Sequence, residues 1–187
     1  MHPFTHFISD THFSHANLLS YEPVRQQWGA DIEAHDAALI AAWNARVPQD
    51  GHVLHLGDVC FGPVERVQWI RARLHGTIYV VKGNHDRGPK ALAALGFVPL
   101  GRRHEFTDDR MDRVVCRHDP SKFTGVDVGT ADVLLFGHLH SARLPADAVE
   151  RMRGKGLCLS CEAIAGLSAP GPLTLDMVRA LTGHSRR

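Results

Sequence analysis

Apolar residues follow two rhythms along this chain. Short runs at "HFIS" (6–9), "HVLHLG" (52–57), "TIYVVKG" (77–83), "DRVVCR" (112–117), "DVLLFG" (132–137), "GLCLSC" (156–161) and "PLTLDM" (172–177) read as strands. Between the early runs the apolar positions recur at helical spacing. "DIEAHDAALIAAWNARV" puts Ile32, Leu39, Ile40 and Trp43 on one stripe, with Asp31 as the N-cap. "GPVERVQWIRARLHG" does the same with Val64, Val67, Ile70 and Leu74, and Gly76 follows as a stop. "GPKALAALGF" supplies a short third helix. Strand–helix alternation predicts parallel βαβ units in the front half. From about residue 97 onward, consecutive strands with turn residues are expected, with "FTDDRMD" as a hairpin tip. The fold class is therefore α/β at the front and β-rich at the back, in two layers of mixed sheet flanked by helices.

Length and composition narrow this picture. At 187 residues the chain can bury the core of one domain, and no linker, repeat or low-complexity segment divides it, so 1–187 reads as a single domain. With 44% hydrophobic and 22% charged residues it belongs with globular proteins, not with disordered or membrane-embedded ones. No apolar run approaches the roughly 20 residues of a spanning helix. The start "MHPFTHFISD" lacks the basic and apolar regions of a signal peptide, which leads to an expectation of a cytoplasmic protein.

A net charge of +1 gives no electrostatic case for nucleic acid or a membrane surface as partner. In "GRRHEFTDDRMDRVVCRH" the residues Arg102, Arg103, Arg110, Arg113 and Arg117 are interleaved with Glu105, Asp108, Asp109 and Asp112, which reads as a solvated hairpin. Of the cysteines, Cys60, Cys116, Cys158 and Cys161, only the last two form a C-x-x-C. On a strand their side chains would face opposite ways, and there is no second pair to complete a zinc site, so all four read as reduced core thiols.

The chemistry collects where strands end. The first run leads into Asp10 and His12, the second into Asp58, and the third into Asn84, His85 and Asp86. "CRHDP" adds His118 and Asp119, and "FGHLH" adds His138 and His140. One polar strand end means little, but five that all select Asp, Asn or His define a crevice at the carboxyl edge of a sheet, where α/β proteins bind ligands. Mixed imidazole and carboxylate donors without cysteine suit Mn, Fe, Zn or Co, and the residue types leave that choice open. There are too many donors for one tetrahedral ion and enough for two, the clamp used in phosphate-ester hydrolysis.

The ordered set D-x-H, G-D, G-N-H-D, a lone His and G-H-x-H resembles the calcineurin-like metallophosphoesterases. "SDTHFSHANLL", "HDAALIAAWNARV…HVLHLGDV" and "GPLTLDMV" are similar to the small bacterial and phage-associated branch, so the resemblance covers nearly the whole chain. It implies an α/β/β/α sandwich without a separate cap domain, and a hydrolase using two divalent transition-metal ions, manganese first, with Fe, Zn, Co or Ni as alternatives. Asp10, His12 and His140 would hold the first ion, Asn84, His118 and His138 the second, and Asp58 would bridge them. A hydroxide shared by the ions would attack phosphorus in line with the leaving oxygen. His85 would protonate that oxygen, and Asp86 would orient His85 and keep it protonated. His15 either caps the following helix or lines the site as a contact to substrate phosphate, and Arg87 is a candidate contact to substrate.

Two positions depart from the family pattern. Arg117 precedes His118 where relatives carry an apolar run, and Ser14 stands where this branch usually has Gly. Of the other histidines, His52 and His55 read as satisfied core residues, and His2, His6, His35, His75, His104 and His184 as surface or core fillers. Trp43 and Trp69 read as packing residues, and Trp28 as packing or a pocket wall.

The function that follows is a phosphodiesterase acting on small, nucleotide-like phosphoesters. A phosphomonoesterase is the alternative within enzymes, needing extra cations for the extra charge, for which Arg87 and Lys122 are candidates. A non-catalytic metal-binding scaffold is the alternative outside them, but it should have lost ligands that this chain retains. A metallo-β-lactamase-type hydrolase would need H-x-H-x-D-H, which "GHLHSAR" lacks.

Overall fold

The computed structural model describes residues 2–110, 112–165 and 170–182. Among these residues, nine strands run in chain order as β1 (His6–Ile8), β2 (His52–His55), β3 (Thr77–Val80), β4 (Val98–Pro99), β5 (His104–Thr107), β6 (Arg113–Cys116), β7 (Val133–Phe136), β8 (Gly156–Cys158) and β9 (Leu173–Thr174). The helices are α1 (Leu18–Tyr21), α2 (Ile32–Asn44), α3 (Val64–Arg71), α4 (Pro89–Ala94), α5 (Gly125–Thr130), α6 (Ala146–Arg151), α7 (Cys161–Ala165) and α8 (Leu175–Leu181).

The strands form two mixed sheets. One has the order β4-β3-β2-β1-β9, parallel except for β9, and the other β5-β6-β7-β8, parallel except for β5. Alternation along the strands explains how they stack. In β6 and β7, Val114, Cys116, Val133 and Leu135 join Phe7, Leu54 and Ile78 in the core between the sheets. Val115, Leu134 and Phe136 face the other way and pack with Val128 of α5 and with Met152 just past α6. Both faces of the second sheet are thus buried. The two sheets meet where β1 and β8 end: the Ser9 amide donates to the Leu159 carbonyl at 2.8 Å.

Most expected elements are present. Asp31 caps α2 by accepting from the Ala34 amide at 2.8 Å, and Leu39 and Trp43 are buried on its inner face. In α3, Val67 and Ile70 are buried, while Val64 is exposed and falls off the predicted stripe. All four cysteines are free thiols.

The back half corrects the expectation of consecutive strands, because α5 and α6 turn β6, β7 and β8 into further parallel βαβ units. Each has six residues and a single buried apolar side chain, Val128 or Ala148, too little for a readable helical period. Two predicted strands were also too long. "GLCLSC" ends as β8 at Cys158 and Cys161 opens α7, while in "PLTLDM" Thr174 ends β9 and caps α8 through Met177.

The "FTDDRMD" hairpin forms between β5 and β6. Asp108 and Asp109 at its tip are ion-paired to Arg179 of α8, while Met111 of the tip and His184 lie outside the described residues.

Candidate metal centre

The site lies at the carboxyl ends of β1, β2, β3, β6 and β7, and an unusual backbone builds it. Asp10 (φ 55°), His12 (48°), Asp58 (58°), His138 (72°) and His140 (50°) all occupy the left-handed region. That conformation costs an ordinary residue about 1–2 kcal/mol, and Asp and His are among the side chains that adopt it most readily. In "SDTHF" it sets the turn so that Thr11 and Phe13 are buried in the protein while Asp10 and His12 meet the other strand ends. Two glycines are required by close approach. A Cβ on Gly83 would lie 2.2 Å from Asp58 Oδ1, and one on Gly137 would lie 2.2 Å from Asp10 Oδ2.

Seven ligand-type side chains converge. Asp10 Oδ1 lies 3.8 Å from His12 Nε2 and 3.9 Å from both His118 Nε2 and His140 Nε2. Asp58 Oδ2 lies 3.7 Å from His12 Nε2 and 3.2 Å from His118 Nε2. His138 Nδ1 is 3.3 Å from His118 Nε2 and 3.1 Å from Asn84 Nδ2. The other carboxylate oxygens are fixed by the protein. Asp10 Oδ2 accepts from the His138 amide at 2.9 Å and Ser160 Oγ at 2.8 Å, and Asp58 Oδ1 accepts from the His85 amide at 2.9 Å. Each carboxylate therefore turns one oxygen toward the histidine cluster. Asp10, His12 and His140 form one group with cation-binding spacing, and Asp10, Asp58 and His118 another.

The electrostatics fit cations. Asp10 and Asp58 are essentially inaccessible to water, and Asp10 Oδ1 and both nitrogens of His12 are buried without a hydrogen-bond partner among the described residues. Such groups are costly to bury unless something satisfies them. Burial works against ionisation of Asp10 and Asp58, yet neighbouring imidazoles hold both carboxyls below their usual range. Burial also opposes charge on His118, but Asp58 and Asp10 outweigh it and raise this imidazole to about 9. The cluster retains positive charge on an imidazole that divalent ions would displace. The donor set, imidazole nitrogen with carboxylate and amide oxygen, suits divalent transition metals.

The imidazoles are also oriented from behind. His118 Nδ1 donates to the Leu56 carbonyl at 2.9 Å, and His140 Nδ1 donates to Glu162 Oε1 at 3.0 Å, which leaves Nε2 of each ring facing the carboxylates. Glu162, Arg25 and Ser160 form this support and were not identified from the sequence. Arg25 is fully buried and donates to Glu162 at 2.5 Å, to the Thr11 carbonyl at 2.9 Å and to the Asp10 carbonyl at 2.5 Å. Glu162 follows β8 just as the other site residues follow their strands, so that pattern would have revealed it had the strand been ended at Cys158. Arg25, in "EPVRQQW", carries no such signal.

One expected role is corrected. Asp86 does not hold His85, because its carboxylate accepts from the Asp58 amide at 2.8 Å, the Val59 amide at 3.0 Å and the Gly83 amide at 2.8 Å. Asp86 fixes the Asp58 turn, while the exposed His85 ring packs near Phe61 at 5.0 Å between centroids. His15 lies one ring further out, stacked on Phe61 at 4.0 Å, and burial with His12 and His85 nearby lowers it to about 4. It is therefore neutral at physiological pH. Arg87 donates to the Gly62 carbonyl at 2.5 Å. His55 is a satisfied core residue: the Gly57 amide donates to Nδ1 at 3.1 Å, and Nε2 is 2.9 Å from Thr11 Oγ1. Trp28 packs over Arg25 and His35.

The Ser14 departure has a structural use. At φ 64° a glycine would be unstrained, but the serine hydroxyl donates to Asp36 Oδ2 and accepts from Arg66 Nε, both at 2.8 Å.

Comparison with known proteins agrees with this geometry. The profile of the calcineurin-like phosphoesterase superfamily domain matches residues 5–159. An uncharacterized protein of Methanocaldococcus jannaschii is 33% identical over 178 residues, covering 92% of this chain and 88% of the archaeal one. The Gene 66 protein of Mycobacterium phage L5 is 36% identical over 92 residues, which are 47% of this chain and 42% of the phage protein. A protein of unknown function from Aquifex aeolicus, solved by crystallography, shares the fold with a TM-score of 0.73 at 21% identity, over 94% of this chain and 97% of the other. No helix among the described residues is long and apolar enough to cross a membrane.

Proposed function

Because the chain belongs to the calcineurin-like phosphoesterase superfamily and is in general terms a metal-dependent phosphoesterase, we propose that it is a phosphodiesterase for nucleotide-like diesters, working with two divalent transition-metal ions, manganese first. Asp10, His12 and His140 would hold one ion and Asn84, His118 and His138 the other, with Asp58 between them. Bound there, the ions would supply Lewis acidity toward the phosphoryl oxygens and acidify water toward neutrality.

The protein's own residues account for the rest. Arg25 and Glu162 fix His140, Leu56 fixes His118, and Asp86 fixes the turn that carries Asp58. The observation that carries the diester reading is His85. Its backbone amide is tied to Asp58 Oδ1 at 2.9 Å, while its exposed ring makes no hydrogen bond among the described residues. A free, exposed imidazole beside the ligand cluster supports the reading in which His85 gives its proton to the leaving alkoxide of a diester.

The test is a paired assay on metal-stripped protein with Mn²⁺ restored, using bis(p-nitrophenyl) phosphate and p-nitrophenyl phosphate. Faster cleavage of the diester is expected. Faster cleavage of the monoester would replace the reading with a phosphomonoesterase. Inactivity on both with two metals bound would leave a non-catalytic scaffold.

A further inference from the structure

Beside the metal centre lies a cavity of about 320 Å³ whose walls include Lys82, Arg102, Arg117 and Lys122, together with Asn84 and His118 of the centre itself. Asp10, His12, Asp58, His138 and His140 are not part of its lining, so the recess adjoins the reacting position without lying over it. Four cations face it against one carboxylate, Asp119, in a protein whose net charge is only +1. The recess is a local concentration of charge, not part of a basic surface.

Two of the four cations, Lys82 and Arg117, are held in place by the fold. Lys82 Nζ donates to the Asp86 carbonyl at 2.6 Å and the Gly83 carbonyl at 3.1 Å, leaving one of its three N–H donors without an acceptor among the described residues. The Lys82 amide donates to the Gly101 carbonyl at 2.6 Å, which brings the next residue, Arg102, to the rim. Arg102 forms no ion pair among the described residues. Arg117 is steadied by Asp127, whose Oδ2 accepts from Nε at 3.1 Å while Oδ1 accepts from Arg103 at 2.8 Å. Arg102 and Lys122 are exposed, Lys122 with Asp119 3.9 Å away. Arg117 thus has a place: it turns from the metal side, where it would repel cations, into the neighbouring recess.

A single diester phosphate carries one negative charge, which the metal centre would neutralise. It gives no reason for four more cations alongside. Planar guanidinium and ammonium donors converging in one recess suit the oxygens of a second phosphate. We infer that the substrate carries a second phosphate group, next to the scissile diester, and that this recess binds it. The inference rests on the phosphodiesterase reading. The second phosphate has two chemical sources, a terminal phosphomonoester on a small nucleotide or the next diester of a nucleic-acid strand.

The experiment uses three p-nitrophenyl diesters with the same leaving group and Mn²⁺-loaded protein. The second ester is a plain propyl chain, a propyl chain ending in phosphate, or a propyl chain ending in a methyl phosphodiester. The chain ending in phosphate should raise kcat/KM at least tenfold over the plain chain, and Arg102→Ala/Lys122→Ala should bring that ratio close to one. Preference for the methyl phosphodiester would assign the site to a strand, and preference for the terminal phosphate to a small nucleotide. Equal kcat/KM for all three, or a preference that survives the double substitution, overturns the inference while the diesterase reading stands.

If no diester is cleaved, the diesterase reading fails and the recess is tested by binding alone. Metal-free protein should then bind inorganic phosphate saturably by calorimetry, and Arg102→Glu should abolish that binding. Absence of binding to the unsubstituted protein overturns the recess as well.

Discussion

Glu162 accepts a hydrogen bond from His140 Nδ1 at 3.0 Å, on the side of the ring opposite the nitrogen that faces Asp10. The same Oε1 accepts from Arg25 Nε at 2.5 Å. This pairing holds Glu162 down at about 2 and raises His140, burial opposing each change. One buried carboxylate thereby fixes both the tautomer and the orientation of an imidazole that faces the metal centre.

Glu162→Gln should therefore weaken metal affinity without removing a ligand. Carboxylates behind metal-binding histidines are typically worth about 10–100-fold in affinity. Arg25 keeps its two carbonyl acceptors in the variant, so the fold should persist. The check is Mn²⁺ titration followed by assay at saturating metal: a raised dissociation constant with activity recovered at high Mn²⁺ is expected. Unchanged affinity would show that Glu162 only neutralises Arg25.

Asp86 makes a different prediction, because its carboxylate satisfies three backbone N–H groups and not the His85 ring. Asp86→Ala strands the buried amides of Asp58, Val59 and Gly83, at roughly 1–3 kcal/mol for each group left unsatisfied. A stability loss on the order of 3 kcal/mol is expected in urea unfolding of metal-free protein, accompanied by weaker metal binding. The relative rates on alkyl and aryl leaving groups should stay as in the unsubstituted protein. A selective loss on alkyl leaving groups would restore Asp86 as the partner of His85.

The site was more legible in the sequence than the second half of the fold. Its residues sit within a few positions of strand ends, and strands such as "HVLH" and "TIYV" are short apolar runs that any periodicity reveals. Asp10, His12, Asp58 and the two histidines of "GHLH" are brought together as their placement suggested. Helices α5 and α6 left no stripe to read, although "VLLF" held the clue: a strand apolar at every position is buried on both faces and needs a covering layer. The cation recess was hidden for a different reason. Lys82 follows β3, Arg102 sits in the turn before β5 and Arg117 follows β6, so the charges converge only in three dimensions, and in the sequence two of them merge into a mixed-charge hairpin.

His55 gives a pH dependence. It is fully buried and neutral, and desolvation lowers it from about 6.5 to about 4, against the charges of Asp86, Asp10 and Asp58 and aided by His118. The unfolded chain takes up this proton as pH falls through about 6.5, whereas the folded protein does not until about 4. The contribution of His55 to stability is therefore nil above that window and turns increasingly unfavourable as pH falls inside it, by an amount on the order of 2 kcal/mol at pH 5. The check is urea unfolding of metal-free protein at pH 7.5 and pH 5, paired with the NMR titration of the His55 ring. A ring that titrates near 6.5 in the folded state would remove His55 as the cause.

His85→Ala separates proton donation from metal binding. The ring is exposed and makes no hydrogen bond among the described residues, while the contact to Asp58 runs through the backbone amide, which alanine keeps. Metal content and unfolding midpoint should therefore stay near those of the unsubstituted protein, as for most exposed substitutions. The effect on rate depends on what leaves. An alkoxide needs a proton as the P–O bond breaks, and losing a positioned acid there typically costs about 10²–10⁴-fold. A p-nitrophenolate is stable as the anion and needs little help, so kcat on an aryl diester should fall far less. Measuring both substrates on the same metal-loaded variant tests the role. A divergence of at least tenfold between them identifies His85 as the acid, whereas an equal loss on both, or loss of metal, would assign the ring to ground-state structure and leave the leaving oxygen without a donor from this chain.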